Sequence, residues 1–470
     1  MCCHFLTICA TYRLKVRSKS FSLLQIQNWL AFSDKNFGFL GKNFVKYVYN
    51  DYNKESMKLL HTSDWHLGRA LYGRKRYEEY EKILNWLAGK IEAENIDVLL
   101  VSGDIYDNST PSSRAQELYY RFLCKVAGSA NRQVIIIAGN HDSPSFLNAP
   151  RELLKFLNIH VIGCASDDSN DELIVLTGPD DEPRLLVCAI PYLRDRDIRT
   201  SDAGESIEDK ERKIIAGIRN HYRMVCDAAE KKRDSLGRPV PIVAMGHLFA
   251  AGGQTVDGDG VRELYIGSLA QVGKDVFPKC IDYLALGHLH IPQKVGGSDF
   301  IRYSGSPLPI GFGEGEQTKS ITVVEFSGDE KTVANIPVPR FQELKSLRGD
   351  WQEIIGRIDE LKAMGSRAWL EINYEGEEIA SALRDRLDTA VEGTRIEILR
   401  VKNNRVLERA LRGENAEETL DDLNVTDVFN RCLAAHDIPE EQRSELLSAY
   451  QEIIMALNEV DQIAEQESAG

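Results

Sequence analysis

No two of the nine cysteines in this 470-residue chain are spaced C-x-x-C; they fall at positions 2, 3, 9, 124, 164, 188, 226, 280 and 432 without any dense framework. That excludes a disulfide scaffold and a thiolate zinc site, and it suits buried thiols in a reducing compartment. No apolar run approaches the roughly 18 residues of a spanning helix. The segment FLTICATY has no basic run before it and no small-residue cleavage site after it, which argues against membrane insertion and secretion alike. Positive charge is also scarce: 57 Lys and Arg stand against 72 Asp and Glu, a formal net charge of −15. Such a balance fits a soluble cytoplasmic protein and opposes any partner held by bulk positive charge. Nucleic acid would then have to be handled through local basic patches, metal ions or a second subunit. A phosphate loop is missing as well. GSLAQVGKD (267–275) has five residues between its glycines and carries Asp275 where Ser or Thr would hold magnesium, so the chain binds no nucleotide itself. Internal repeats and low-complexity tracts are absent.

What is there begins with length, which is too great for one ordinary core and suggests two domains plus an appendage. Residues 1–56 show no clear period and read as a disordered extension or a start placed too far upstream. From Met57 the pattern alternates. MKLLHTS, DVLLVSGD and QVIIIAGN read as strands; Tyr77, Tyr80, Ile83, Leu84, Leu87 and Ile91 share one helical face, and a second helix runs from Pro111 to Val126. Continuous Val, Ile and Leu runs between helices are what a sheet buried on both faces requires, so the start is α/β. After about residue 160 strands dominate (ELIVLTG, RLLVCAIPY, PIVAMGHL, RELYIGSL, DYLALGHLH, FIRYSGS, SITVVEF), with one long helix near 207–231. Two sheets face to face with helices outside accommodate this count. IPVPRF marks the exit from this domain. A helix, the strand AWLEINY, a helix and the strand RIEILRV then suggest a compact α+β cap over 341–402. A polar linker (403–420) and C-terminal helices (421–470) follow, the latter with Phe429, Leu433, Tyr450 and Ile453 on apolar faces.

Five strand-like runs end in residues that suit metal chemistry: Asp64 and His66 in SDWH; Asp104 and Asp107 in GDIYD; Asn140, His141 and Asp142 in GNHD; His247 in GH; His288 and His290 in GHLH. Ligands in α/β sheets gather outside the carboxyl ends of strands, where loops unite groups distant in sequence. One His after a strand is ordinarily a hydrogen-bonded structural residue, and one GD is ordinarily a turn. Five such loops, holding half of the ten histidines, point to a metal site. Carboxylate, imidazole and amide oxygen without thiolate suit a pair of borderline or hard divalent ions such as manganese, iron or zinc. Two divalent ions outweigh two ligand aspartates, so the centre stays net positive and attracts an anionic phosphodiester. Ions about 3.5–4 Å apart also lower the pKa of a shared water and stabilise charge developing at phosphorus.

The ordered set D-x-H, GD-x-x-D, GNHD, GH and GH-x-H resembles the calcineurin-like metallophosphoesterase superfamily. The match is closer to the SbcD-type nuclease subunits of bacterial SbcCD complexes, through LHTSDWHLGR, SGDIYD, AGNHDS, GHL, ALGHLH and RYSGSPLPIGF, and it covers about residues 57–460. The resemblance implies a four-layer α-β-β-α sandwich over 57–340, a DNA-capping domain and a tail that docks on an SbcC-type coiled-coil ATPase. It implies that Asp64, His66, Asp104 and His290 hold one ion, that Asp104, Asn140, His247 and His288 hold a second, and that both are Mn2+. His141 would be the non-ligand imidazole serving the leaving oxygen, with Asp107 orienting it as a carboxylate dyad. A homodimer within the complex, 3′–5′ exonuclease action on duplex ends and endonuclease action on hairpins and single strands are further implications. In GRALYGRKRYEEY, residues Arg69, Arg74, Lys75 and Arg76 are interleaved with Tyr72 and Tyr77 and offer phosphate contacts; a solvated charged turn is the bland alternative.

Overall fold

The fold is that of a computed structural model describing residues 56–127, 132–178, 182–199, 206–250, 272–376 and 380–403, with 429, 433, 443 and 446–450. The extension before Ser56, the strand expected at 262–269, residues 267–271 of the loop at 267–275, the polar linker after Asn403 and most of the C-terminal helices lie outside the described residues. The chain divides into two compact units, residues 1–58 with 324–332 and residues 59–323 with 333–470. In the smaller one the described chain is extended on either side of a turn at Gly328, whose φ of 61° suits glycine. Both sheet-and-helix cores and the site belong to the larger unit.

The first sheet is built from β1 (Ser56–Thr62), β4 (Val98–Ser102), β5 (Gln133–Ile137) and β6 (Ile159–Ile162), with β13 (Ser320–Ser327) and β14 (Glu330–Pro337) beyond β1. Between β1 and β4 lies a small hairpin of β2 (Ala70–Leu71) and β3 (Arg74–Lys75). The second sheet has the order β11-β12-β10-β9-β8-β7. Its strands are β7 (Leu173–Thr177), β8 (Pro183–Ala189), β9 (Ile242–His247), β10 (Tyr283–Gly287), β11 (Gln293–Lys294) and β12 (Ile301–Tyr303). Strands β1, β4, β5 and β6 run parallel, as do β8, β9, β10 and β12. This explains their unbroken apolar sequences, because VLLVS of β4 is buried on both faces.

Alternation along each strand sorts the two faces. Leu99, Val101, Val134 and Ile136 pack under the helices Tyr77–Ala93 and Ser113–Val126, and Leu186, Ala244 and Leu284 under the helix Ile207–Leu236. Leu100, Ile135, Val187 and Met245, at 0 % exposure, fill the space between the sheets. Each such side chain contributes roughly 1.5–3 kcal/mol by leaving water. Polar stitches cross the same space: His61 Nδ1 lies 2.9 Å from Tyr283 Oη, and Ser102 Oγ donates to the Ala285 carbonyl at 3.1 Å. The result is the expected helix-sheet-sheet-helix stack. Ser112 and Ser206 cap the helices they precede, and Gly237 ends the long one at φ 63°. Among the described residues no helix is long and apolar enough to cross a membrane.

Residues after 340 form a third sheet of β15 (Leu344–Gly349), β16 (Trp369–Tyr374) and β17 (Glu397–Asn403), parallel and in chain order, with the helices Trp351–Ala363 and Ala380–Val391 as crossovers. It has its own core, including Ile354, Ile358, Leu370, Ile372 and Leu383. The first strand is an addition to the sequence expectation. LKSLRG buries Leu344, Leu347 and Gly349, an uneven spacing of three and then two that hides the strand period. The β2–β3 hairpin meets this unit directly. Leu71, Phe312, Leu344 and Trp369 cluster, Arg400 donates to the Tyr72 hydroxyl at 2.7 Å, and Arg74 pairs with Glu397 at 3.0 Å. In the tail, Phe429 stacks on Tyr450 with ring centroids 3.9 Å apart.

Candidate metal centre

The carboxyl ends of β1, β4, β5, β9 and β10 lie together, and each delivers part of one cluster. β1 leads to Asp64 and His66, β4 to Asp104 and Asp107, β5 to Asn140 and His141; His247 closes β9, and His288 and His290 follow β10. The turns are tight. Asp64 (φ 53°), His66 (φ 48°), Asp104 (φ 50°) and His288 (φ 103°) all sit where a Cβ is disfavoured. Such conformations cost on the order of 1–3 kcal/mol each and persist only where the surroundings impose them. Here the loops impose them on one another. Asp64 N–H donates to the Gly103 carbonyl at 3.0 Å, His66 N–H to Asp104 O at 3.0 Å, and His288 N–H to Asp64 Oδ1 at 2.9 Å. Asp142, fully buried, accepts N–H groups from Ile105, Tyr106 and Gly139 and so ties the second loop to the third. The glycines of GD and GN have steric reasons: a Cβ on Gly103 would strike the His247 ring, and one on Gly139 the Asp104 carboxylate.

Donor atoms converge in two groups that share Asp104. On one side His66 Nε2 lies 3.2 Å from His290 Nε2 and 3.6 Å from Asp104 Oδ2. Asp64 belongs with them, its ligand atom within 4.8 Å of those of His66 and His290. On the other side His247 Nε2 lies 3.3 Å from Asp104 Oδ2 and 3.0 Å from Asn140 Oδ1, and His288 Nδ1 lies 3.2 Å from the same Asn140 oxygen. Asp64, His66, Asp104, His247, His288 and His290 are all buried. Among the described residues no Lys or Arg pairs with Asp64 or Asp104. Buried carboxylates and facing imidazole nitrogens without a counter-charge are costly, and divalent cations supply that charge, so the donor set fits two of them.

The titration of these groups agrees. Burial lowers His66 to about 4 and His288 to about 3, leaving both neutral with a lone pair to give. Burial also raises the Asp64 carboxyl. At His247 burial is outweighed by the Asp104 carboxylate, which lifts the imidazole to about 9. Asp104 is held well below its usual range, burial being overcome chiefly by His247. A cation at His247 therefore takes the place of a proton. The outer nitrogens are held too: His247 Nδ1 lies 2.9 Å from the Ser102 carbonyl and His290 Nδ1 3.1 Å from Glu314 Oε1.

Two sequence expectations need correction. The Asp107 carboxylate does not meet His141. It lies 3.0 Å from Arg69 Nη1 and 3.5 Å from His66 Nδ1, and although burial alone would raise it, His66 and Arg69 bring it to about 2. His141 Nδ1 is instead oriented by the Asp107 backbone carbonyl at 2.8 Å. Arg76 is no phosphate contact, because it is 2 % exposed, paired with Glu79 at 2.8 Å and donating to the Pro309 carbonyl at 2.7 Å. Arg69 is committed to Asp107, and Arg74 and Lys75 are exposed. Sequence reasoning also missed Glu314 and Lys319, which lie behind His290 and carry no periodic signal, and it assigned no role to Asp142.

A family model described as calcineurin-like phosphoesterase matches residues 57–292, and one described as type 5 capsule protein repressor C-terminal domain matches 340–437. The SbcD component of the nuclease SbcCD from Escherichia coli (strain K12) is 34% identical over 394 residues, 83% of this chain and 96% of that protein. The chain belongs to the SbcD family. SbcD proteins of Rhodobacter capsulatus (35% over 290 residues, 60% of this chain and 70% of that one) and Bacillus subtilis (30% over 325 residues, 67% and 78%) are similar as well. An SbcD chain with this donor set is a metal-dependent hydrolase of phosphodiester bonds.

Proposed function

We propose that this SbcD-family chain is the cytoplasmic nuclease subunit of a complex with an SbcC-type coiled-coil ATPase. It degrades duplex DNA ends 3′–5′ as an exonuclease and opens hairpins and single strands as an endonuclease, in recombination, replication and repair. The observation that carries the reading is the convergence of donors from five loops into two groups that share Asp104. In this reading Asp64, His66, Asp104 and His290 hold one Mn2+, and Asp104, Asn140, His247 and His288 the other. When bound, the ions supply a lowered water pKa and charge for the phosphorane-like transition state. The protein's own part is proton handling and alignment. His141, with Nδ1 given to the Asp107 carbonyl, has its other nitrogen for the leaving oxygen. Arg74 and Lys75, on the hairpin between the metal loop and the cap, supply phosphate contacts.

The experiment is a cleavage assay on blunt and hairpin duplexes with Mn2+, Mg2+ or chelator, with and without the ATPase. Cleavage that needs Mn2+, and ATP for long duplexes, is expected. Hydrolysis of small phosphodiesters with DNA untouched in every arm would transfer the reading to a small-molecule enzyme on the same core.

The catalytic domain is assigned to 57–340, the cap to 341–402 and the docking tail to 421–470 after a linker at 403–420. Deleting 421–470 should abolish co-purification with the ATPase while sparing hydrolysis of a small phosphodiester; undiminished complex formation would return the tail to a packing role. A homodimer is supported by an apolar patch after the third loop, where Leu153 is 70 % and Phe156 87 % exposed, with Leu157 beside them. Phe156→Asp, a surface change of little cost to folding, should shift sedimentation from dimer to monomer; a variant that still sediments as the dimer removes this patch from the interface.

A further inference from the structure

The chain between β12 and β13 holds the motif SGSPLPIGFGE, and its place in the fold lies behind His290 rather than in the ligand set. Glu314 at its end is 0 % exposed, and Lys319 just after it 4 %. The two Glu314 oxygens divide their work. Oε1 lies 3.1 Å from His290 Nδ1; Oε2 accepts from the Ile310 N–H at 3.0 Å and from Lys319 Nζ at 2.5 Å. Lys319 Nζ also donates to the His290 carbonyl at 2.9 Å, so one buried ion pair holds that residue by ring and backbone together. The loop itself is pinned from outside by Arg76 on the Pro309 carbonyl.

A buried Glu–Lys pair is by itself weak evidence of stabilisation, since apolar side chains of similar volume often serve the fold as well. The contact to the imidazole is what such a replacement would not supply. A carboxylate facing Nδ1 keeps the ring proton there and leaves the lone pair on Nε2, the nitrogen 3.2 Å from His66 Nε2. Metal-ligating histidines characteristically donate their far N–H to such a group, which fixes the ring and raises its basicity.

We propose that Glu314 is a positioning residue that sets the tautomer and orientation of His290, and that Lys319 is present to make that buried carboxylate tolerable. The inference rests on the reading of His290 as a ligand. It is tested by Mn2+ titration calorimetry and by thermal unfolding of the metal-free protein, on Glu314→Gln, the charge-free double variant Glu314→Gln/Lys319→Met, and His290→Ala. Glu314→Gln should weaken one of the two Mn2+ sites by about 10–100-fold and leave the other unchanged. The double variant should recover the unfolding temperature that the single one loses, without recovering Mn2+ affinity. Wild-type affinity at both sites in Glu314→Gln overturns the proposal, and so does a double variant that regains affinity together with stability, which would make the pair a folding element only. His290→Ala separates the two layers. Two ions retained there sink the ligand reading itself, whereas an ion lost there but kept in Glu314→Gln sinks only the positioning role.

Discussion

Asp104→Asn should yield a folded protein that binds neither ion and hydrolyses no phosphodiester. The substitution keeps size and an acceptor for the His141 N–H, which Asp104 Oδ1 receives at 3.0 Å, so the loop retains its anchor. What disappears is the one charge standing between His66 Nε2 at 3.6 Å and His247 Nε2 at 3.3 Å. Each half of the centre loses its shared anion, and His247 loses the partner that lifts its pKa. Equilibrium dialysis against Mn2+ measures the stoichiometry, with Asp64→Asn as the control expected to empty one site. Unfolding of the metal-free variant should be easier than in the parent, because the carboxylate that His247 holds well below its usual range, and that keeps this imidazole charged, has been removed. Two ions still bound to Asp104→Asn would end the bridging assignment.

His141→Ala should behave oppositely, retaining both ions while cleavage of DNA falls by about 10²–10⁴-fold, the usual weight of a positioned acid or base. The geometry leaves a second possibility to test, since the His141 ring meets that of His66 at 4.9 Å and one of its nitrogens comes within 4.8 Å of an Asp104 carboxylate oxygen. Substrate choice separates the roles. An acid that protonates the leaving oxygen matters for a deoxyribose alkoxide and little for nitrophenolate, so the variant should be crippled on DNA and nearly normal on a nitrophenyl phosphodiester. Equal losses on both substrates, accompanied by loss of Mn2+, would make His141 a ligand.

The architecture was legible because its signals are local. VLLVS and QVIII announce strands covered on both faces, and the polar cluster after each strand announces the loop that follows. The clustering of Asp64, Asp104 and Asn140 was legible for the same reason: each closely follows a strand of one parallel sheet, which brings all three to its carboxyl edge. Partners were not legible. Asp107 stands three residues from Asp104 and looks free to serve His141, yet Arg69 and His66 compete for its carboxylate and the backbone carbonyl does the orienting instead. Arg76 reads as one of a basic trio, but tertiary packing buries it on Glu79. Glu314 reaches His290 across 24 residues of chain with no period to mark it. Competition among side chains is settled only when the elements pack, which is why position survives from sequence better than partnership.

The left-handed backbone at Asp64, His66, Asp104 and His288 bears on how such a protein can be improved. A glycine would relax each of those positions, and a selection for thermal robustness alone would therefore drift toward erasing the donors one by one. Durability and chemistry pull against each other at the same four α-carbons. Engineering for heat tolerance is better directed at the helices outside the two large sheets, which carry none of the donors.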